Sequence, residues 1–322
     1  MLFRLHSRAI ALFAGAAAIL GIAGSQSLHG QEAVTTQRVT VSGEEVPSSY
    51  GATPGFSRSR FSNLTQSYVL PPGAVFAGLI YQGDSLKFNR PDHMLTQEIE
   101  IGLPNRFGLA FENSVENHRG RTQERTFSIE GRYALADWNK ILLNPTLFVE
   151  YKFGVGDILH DEGPPEEVPK GEGRAFLEEH LPLPDSFEVR LLLAQDFSNK
   201  VEWAANLFFE QEVGGDRGRE VGFSQSIMFP ILLSNERLKV GAEMQYINFT
   251  DAGLREEGTN SARVVIGPTV AWKPSRNTRL DVSPLFGVTD DAPHASVFVV
   301  FSMLFGGSEP SQAEAPASTR NR

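Results

Sequence analysis

From Pro72 to Phe305 the chain repeats one pattern: segments of about ten residues in which apolar and polar side chains alternate, each closed by turn residues. Alternation with a period of two puts successive side chains on opposite faces of an extended strand. The segments are 73–82, 93–103, 107–117, 124–136, 145–154, 186–196, 201–212, 220–230, 238–249, 262–273, 278–288 and 295–305. A strand that crosses a bilayer at a tilt needs about 9–11 residues. Strands in soluble proteins most often run nearer 5 or 6. The pattern predicts an all-β chain, a transmembrane antiparallel up-and-down β-barrel of about twelve strands.

The connections sharpen that reading. Links after strands 2, 6, 8 and 10 are tight, and the one after strand 4 (Asp137 to Asn144) is modest. Links after strands 1, 3, 5, 7, 9 and 11 are longer or strongly polar, the longest following strand 5. Short turns on one side and long loops on the other is the asymmetry of outer-membrane barrels, with the turns periplasmic. An even strand count then puts both chain ends on the turn side. Trp138, Trp203 and Trp272 fall near that side, and Tyr81, Tyr151, Phe153, Tyr246 and Phe249 lie toward the other. Two bands of amphipathic rings are expected at the two membrane interfaces.

The N-terminus carries an export signal. Arg4 and Arg8 precede an apolar run from Ala9 to Gly24, and Ala23-Gly24-Ser25 offers small residues for cleavage. We divide the chain into a signal peptide (1–25), a periplasmic linker (26–71), the barrel (72–305) and a periplasmic tail (306–322). Within the linker, Arg38 to Gly43 looks like the start of the plug in TonB-dependent receptors, but the region is far too short for such a plug. The chain has no Cys, so an exported fold must rest on a large apolar core or a bilayer. A net charge of −10 argues against nucleic acid as a partner. No later segment approaches 18 uninterrupted apolar residues, which excludes a helical membrane protein.

The last strand, Ala295 to Phe305, alternates and closes on an aromatic, resembling the C-terminal strand by which bacterial barrels are handed to their assembly machinery. Here a polar tail follows it. Taken with the strand pattern and the loop order, region 72–305 resembles the Gram-negative outer-membrane barrels grouped as transporters, including the phenol-degradation-pathway (MetA-type) group. The resemblance implies an outer-membrane location, lipid and lipopolysaccharide as surroundings, the barrel assembly machinery as a partner, and a small solute as cargo.

Alternation also assigns faces. With Leu147, Val149, Tyr151 and Phe153 toward lipid, Glu150 and Lys152 point inward. The same logic places Glu98, Glu100, Glu112, Glu130, Glu188, Glu202, Glu210, Glu243 and Asp281 inside, with Arg132, Arg190 and Arg279 as the remaining inward bases. Acids outnumber bases, and an acidic lumen favours cations. The pairs Glu130/Arg132, Glu150/Lys152 and Glu188/Arg190 suggest a ladder. In it, Lys152 sits between Glu130 and Glu188, and Glu150 sits between Arg132 and Arg190. Around eight strands fill their interior with side chains, while sixteen leave a channel. Twelve is compatible with a narrow pore or an occluded lumen.

Chemistry is sparse. His93, His118, His160, His180 and His294 lie in or beside outer loops, with no nucleophile elbow and no zinc-ligand spacing. We expect no enzyme, no catalytic residue, no metal site and no cofactor. The loop after strand 5 is acidic; a solvated loop is its simplest reading, with a constriction folded into the lumen or divalent cations bound at the surface as the alternatives. The function expected is passive passage of small solutes through a charged, net acidic lumen. The alternative is a non-conducting structural or surface-interaction barrel with long extracellular loops.

Overall fold

A computed structural model describes Tyr50 and residues 59–85, 91–118, 120–157, 182–198, 201–214, 217–231, 237–250, 260–275 and 277–306. The signal peptide, the Arg38–Gly43 stretch, most of the acidic loop and the C-terminal tail lie outside the described residues.

Twelve strands form one closed antiparallel barrel. They are β1 (Val75–Ser85), β2 (Asp92–Leu103), β3 (Phe107–His118), β4 (Arg121–Ala134), β5 (Thr146–Gly154) and β6 (Ser186–Ser198), followed by β7 (Val201–Glu212), β8 (Arg219–Pro230), β9 (Leu238–Thr250), β10 (Asn260–Trp272), β11 (Thr278–Gly287) and β12 (Ala295–Phe305). No boundary departs from the sequence expectation by more than three residues. Each strand pairs with its sequence neighbours, and β1 closes the ring on β12 from Val75↔Phe305 to Ser85↔Ala295. Among the described residues closure leaves no edge strand, which is the condition for crossing hydrocarbon.

The outer surface is apolar. Ile99, Phe111, Ile129, Val149, Val189, Leu207, Ile266 and Phe301 are exposed large side chains that alternate along their strands with less exposed, inward residues. Among the described residues no helix is long and apolar enough to cross a membrane.

One detail of the loop order differs from expectation. β3 ends at His118 and β4 begins at Arg121, so the link after strand 3, expected to be longer or strongly polar, is short. The link after β4 is modest, as expected, and is tied to its neighbours: Asn144 Nδ2 donates to Ala194 O at 2.8 Å, and Leu135 N to Pro145 O at 3.1 Å. This turn carries Trp138 inward. Its ring is buried against Tyr68, at 5.2 Å between centroids in an edge-on arrangement, and does not belong to an interfacial band. Phe249 also leaves the expected aromatic band. It pairs with Glu220 on the side of the wall that faces in.

The main correction concerns the linker. Residues 59–70 do not run through solvent but occupy the turn-side half of the barrel interior. Phe61, Tyr68, Val69 and Leu70 are buried, as are Ser62, Thr65 and Ser67. The stretch is a tight hairpin: Ser67 N donates to Ser59 O at 2.9 Å, and Phe61 N to Thr65 O at 3.0 Å. Arg60 and Gln66 form an antiparallel bridge. Its tip is Ser62–Leu64. Phe61, Tyr68 and Val69 pack with Ala134, Trp138, Ala194, Ala204, Met228 and Ala271 into the largest apolar cluster of the interior. Each such side chain contributes roughly 1.5–3 kcal/mol by leaving water. The stretch looks like linker in sequence because most of its residues are polar. The wall supplies partners for them.

Candidate functional site: the inner wall and the inserted hairpin

The inner wall has two regions of different chemistry. One is lined by small residues: Ala194, Ala204, Ser224, Ser226, Thr269, Ala271 and Ser283, all buried. The hairpin fills the space they leave. Glu243 on β9 holds its tip, accepting from Ser62 Oγ at 3.0 Å, from Leu64 N at 2.9 Å and from Ser283 Oγ at 2.7 Å. Ser62 Oγ lies 2.7 Å from Ser226 Oγ. Asn206 on β7 bonds Gln66 twice, accepting from its N and donating to its O, both at 2.8 Å. Ser224 Oγ donates to Leu64 O at 2.8 Å, and Asn63 Nδ2 donates to Ser283.

The base of the hairpin is held by charge. Arg60 Nη2 pairs with Glu98 Oε2 at 2.6 Å, both side chains buried. Burial works against the Arg60 charge, but Glu98 more than offsets it and holds the guanidinium above its ordinary pKa. Arg279 Nη1 and Nη2 donate to the carbonyls of Arg60 and Phe61 at 2.6 and 2.5 Å, while its Nε pairs with Asp281 at 2.8 Å. At the rim, Tyr68 Oη donates to Ala136 O at 2.6 Å. Tyr50 Oη donates to Leu103 O at 3.1 Å and accepts from Arg106 N at 3.0 Å, and Trp138 N donates to Tyr50 O at 2.8 Å.

The second region, from β2 to β8, is large and charged. Register sets Glu130 opposite Glu150, Glu150 opposite Glu188, Glu188 opposite Glu210 and Glu210 opposite Glu220. Five glutamates share one row. The expected ladder of acid opposite base is therefore corrected, because the strands pair two residues out of the assumed alignment. Bases act diagonally instead. Lys152 Nζ reaches Glu188 at 3.0 Å and Glu210 at 2.6 Å, with Glu150 at 3.8 Å. Arg132 pairs with Glu130, with Glu100 at 3.1 Å and with Glu98 at 3.5 Å. Arg190 folds onto its own strand neighbour Glu188 at 2.5 Å. Phe148 lies between Arg132 and Arg190, which stack over its ring at 5.6 and 4.7 Å.

Glu98, Glu112 and Glu130 bring carboxylate oxygens within 4.8 Å of one another. Arg60 pairs with Glu98, and Arg132 pairs with Glu98 and Glu130, so the cluster reads as part of the ion-pair network. Glu202 is paired with Lys239 at 2.6 and 2.7 Å. Lys239 is a buried inward base that the sequence assignment missed, as are the inward acids Glu116 and Glu220. Each sits near a strand end, where alternation has few residues to establish its phase. Among the described histidines, His118 Nδ1 lies 2.6 Å from Asp92 and His93 Nδ1 lies 2.8 Å from Tyr81 Oη, both toward the loop side. His160 and His180 fall outside the described residues.

A closed twelve-stranded barrel, apolar outside and polar within, defines an outer-membrane, porin-like fold. No protein-family model matches the chain, and no curated protein does. Solved structures with a similar fold include the KdgM porin, at 11% identity and a TM-score of 0.45 over 71% of this chain and 99% of that one. The NanC porin matches at 8% and 0.45 over 71% and 98%. The COG4313 outer membrane channel from Pseudomonas putida F1 matches at 10% and 0.43 over 74% and 97%. Nothing about cargo follows from likenesses this low.

Proposed function

We propose that the protein is an outer-membrane channel for small solutes, and that its inner carboxylates favour cations. The observation that carries this reading is the row Glu130, Glu150, Glu188, Glu210 and Glu220, which Arg132, Lys152 and Arg190 only partly offset. Carboxylates held on a low-dielectric wall raise the local concentration of cations and repel anions. The inward set proposed to line the path is Glu98, Glu100, Glu112, Glu130, Arg132, Glu150, Lys152, Glu188, Arg190, Glu202, Glu210, Glu243, Arg279 and Asp281. Export through the N-terminal signal and folding by the barrel assembly machinery belong to the same reading. So does an outer surface set in lipid and lipopolysaccharide, supported by the apolar outer band. Nothing in this reading calls for catalysis or a cofactor.

A second reading, a barrel that does not conduct and serves as a scaffold, is favoured by the hairpin lying in the lumen. Planar-bilayer recordings under a salt gradient separate the two. The channel reading expects current with a reversal potential on the cation side. Absence of both current and solute-driven liposome swelling, even after the hairpin is replaced by Gly/Ser, would overturn it in favour of the scaffold.

A further inference from the structure

We propose that residues 59–70 are a reversible plug, which leaves the lumen as a preformed hairpin through the turn side of the barrel; this rests on the channel reading for its consequence, though not for its geometry.

Three observations converge. First, the chain is tied to one rim on both sides of the insertion. Tyr50 is bonded to the β2–β3 and β4–β5 turns, and Gly73 N donates to Gly102 O at 2.9 Å just before β1 begins. Retreat through that rim needs no strand to part and no end to be threaded. Second, the hairpin satisfies part of its own backbone through the Ser59–Ser67 and Phe61–Thr65 bonds. Those bonds travel with it, so withdrawal does not orphan them. Third, the hairpin is gripped by many hydrogen bonds, from its tip to Ser224, Ser226, Glu243 and Ser283 and from Gln66 to Asn206, while one tip side chain, the partly buried Leu64, rests on the apolar cluster of Val265, Leu285, Ala292 and Phe298. Water replaces such bonds at both partners as the hairpin leaves. The contact of Tyr68 with Trp138 lies at the rim, the part that moves least, so Phe61 is the member of that apolar cluster that must travel with the hairpin.

The wall is shaped for an occupant. Around the hairpin many inner positions carry Ala, Ser or Thr, with Asn206, Glu243, Glu98 and Arg279 among the larger polar groups that grip it. The rest of the wall is crowded by Glu, Arg, Lys and Phe. Its departure therefore uncovers a space lined by small side chains beside the glutamate row. A periplasmic partner that binds the released segment would shift the population toward the open state by mass action.

The test uses the whole folded protein in proteoliposomes and exploits the absence of cysteine. A single Ser62→Cys variant is exposed to a membrane-impermeant maleimide. The expected result is labelling that goes to completion, roughly tenfold or more slower than in denatured protein, as local opening requires. A Ser62→Cys thiol that stays unlabelled in the folded barrel overturns the plug. The second variant pairs Ser62→Cys with Ser226→Cys. Oxidised, it should lose current entirely, and reduction should restore it. A variant with residues 59–67 replaced by Gly/Ser should conduct continuously. Unchanged current in both variants also overturns the plug. Complete labelling with no current in the Gly/Ser variant, whose folding is checked by heat-modifiable migration, upholds the displaceable hairpin and overturns the channel reading alone.

Discussion

Ser62 and Ser226 lie 164 positions apart, and their hydroxyls meet 2.7 Å from one another inside the barrel. The contact joins the tip of the inserted hairpin to the middle of β8. It sits within reach of Glu243, whose carboxylate accepts from Ser62 as well.

Glu243 is the hub of that grip, so its removal should loosen the hairpin before it weakens the barrel. Glu243→Ala leaves Ser62, Leu64 N and Ser283 short of an acceptor, at a cost of about 1–3 kcal/mol. Maleimide labelling of a Ser62→Cys background should speed up accordingly. Glu243→Gln keeps one acceptor oxygen and should fall between.

Tyr68 anchors the hairpin at the rim through ring and hydroxyl separately. Tyr68→Phe removes the bond to Ala136 O and should cost about 1 kcal/mol. Tyr68→Ala also empties the space against Trp138 and should cost about 3 kcal/mol or more. The urea midpoint of the refolded barrel measures both, and equal midpoints for the two variants would contradict the packing.

Charge reversal at Glu150 should act on selectivity. It stands in the glutamate row between Glu130 and Glu188, so Glu150→Lys places a base among acids and should move the reversal potential away from the cation side. Glu172→Lys, in the long loop, should move it much less. Equal shifts would remove the face assignment.

Val149, next to Glu150 in sequence, faces the other way and is 54% exposed. If that face meets lipid, Val149→Arg should destabilise the barrel by about 2–4 kcal/mol. The check is the yield of the heat-modifiable folded band after refolding into liposomes. A yield matching wild type would place the residue in water.

Much of the wall was legible because strand alternation is local. Phe148 and Glu150 differ in face from Leu147 and Val149 whatever the rest of the chain does. The charged rungs were harder. Glu130, Glu150 and Glu188 were each assigned inward, yet the order in which they meet depends on how β5 and β6 align across a connection of about thirty residues. No short-range signal reports that alignment. The hairpin was harder still. Phe61, Leu64 and the Tyr68-Val69-Leu70 run were the apolar marks in a mostly polar stretch. The complementary signal, small residues at Ala194, Ala204, Ser226 and Ser283, is scattered over four strands.

The sequence by itself determined twelve strands, their ends to within three residues, and the side that most wall residues take. Those properties follow from backbone geometry and from the cost of placing charge in hydrocarbon, both of which act residue by residue. Only the tertiary structure decided that glutamates stand in a row, that Trp138 turns inward, and that residues 59–70 enter the lumen. Each of these depends on groups that are distant in sequence and come within hydrogen-bonding or packing range only after the barrel has closed.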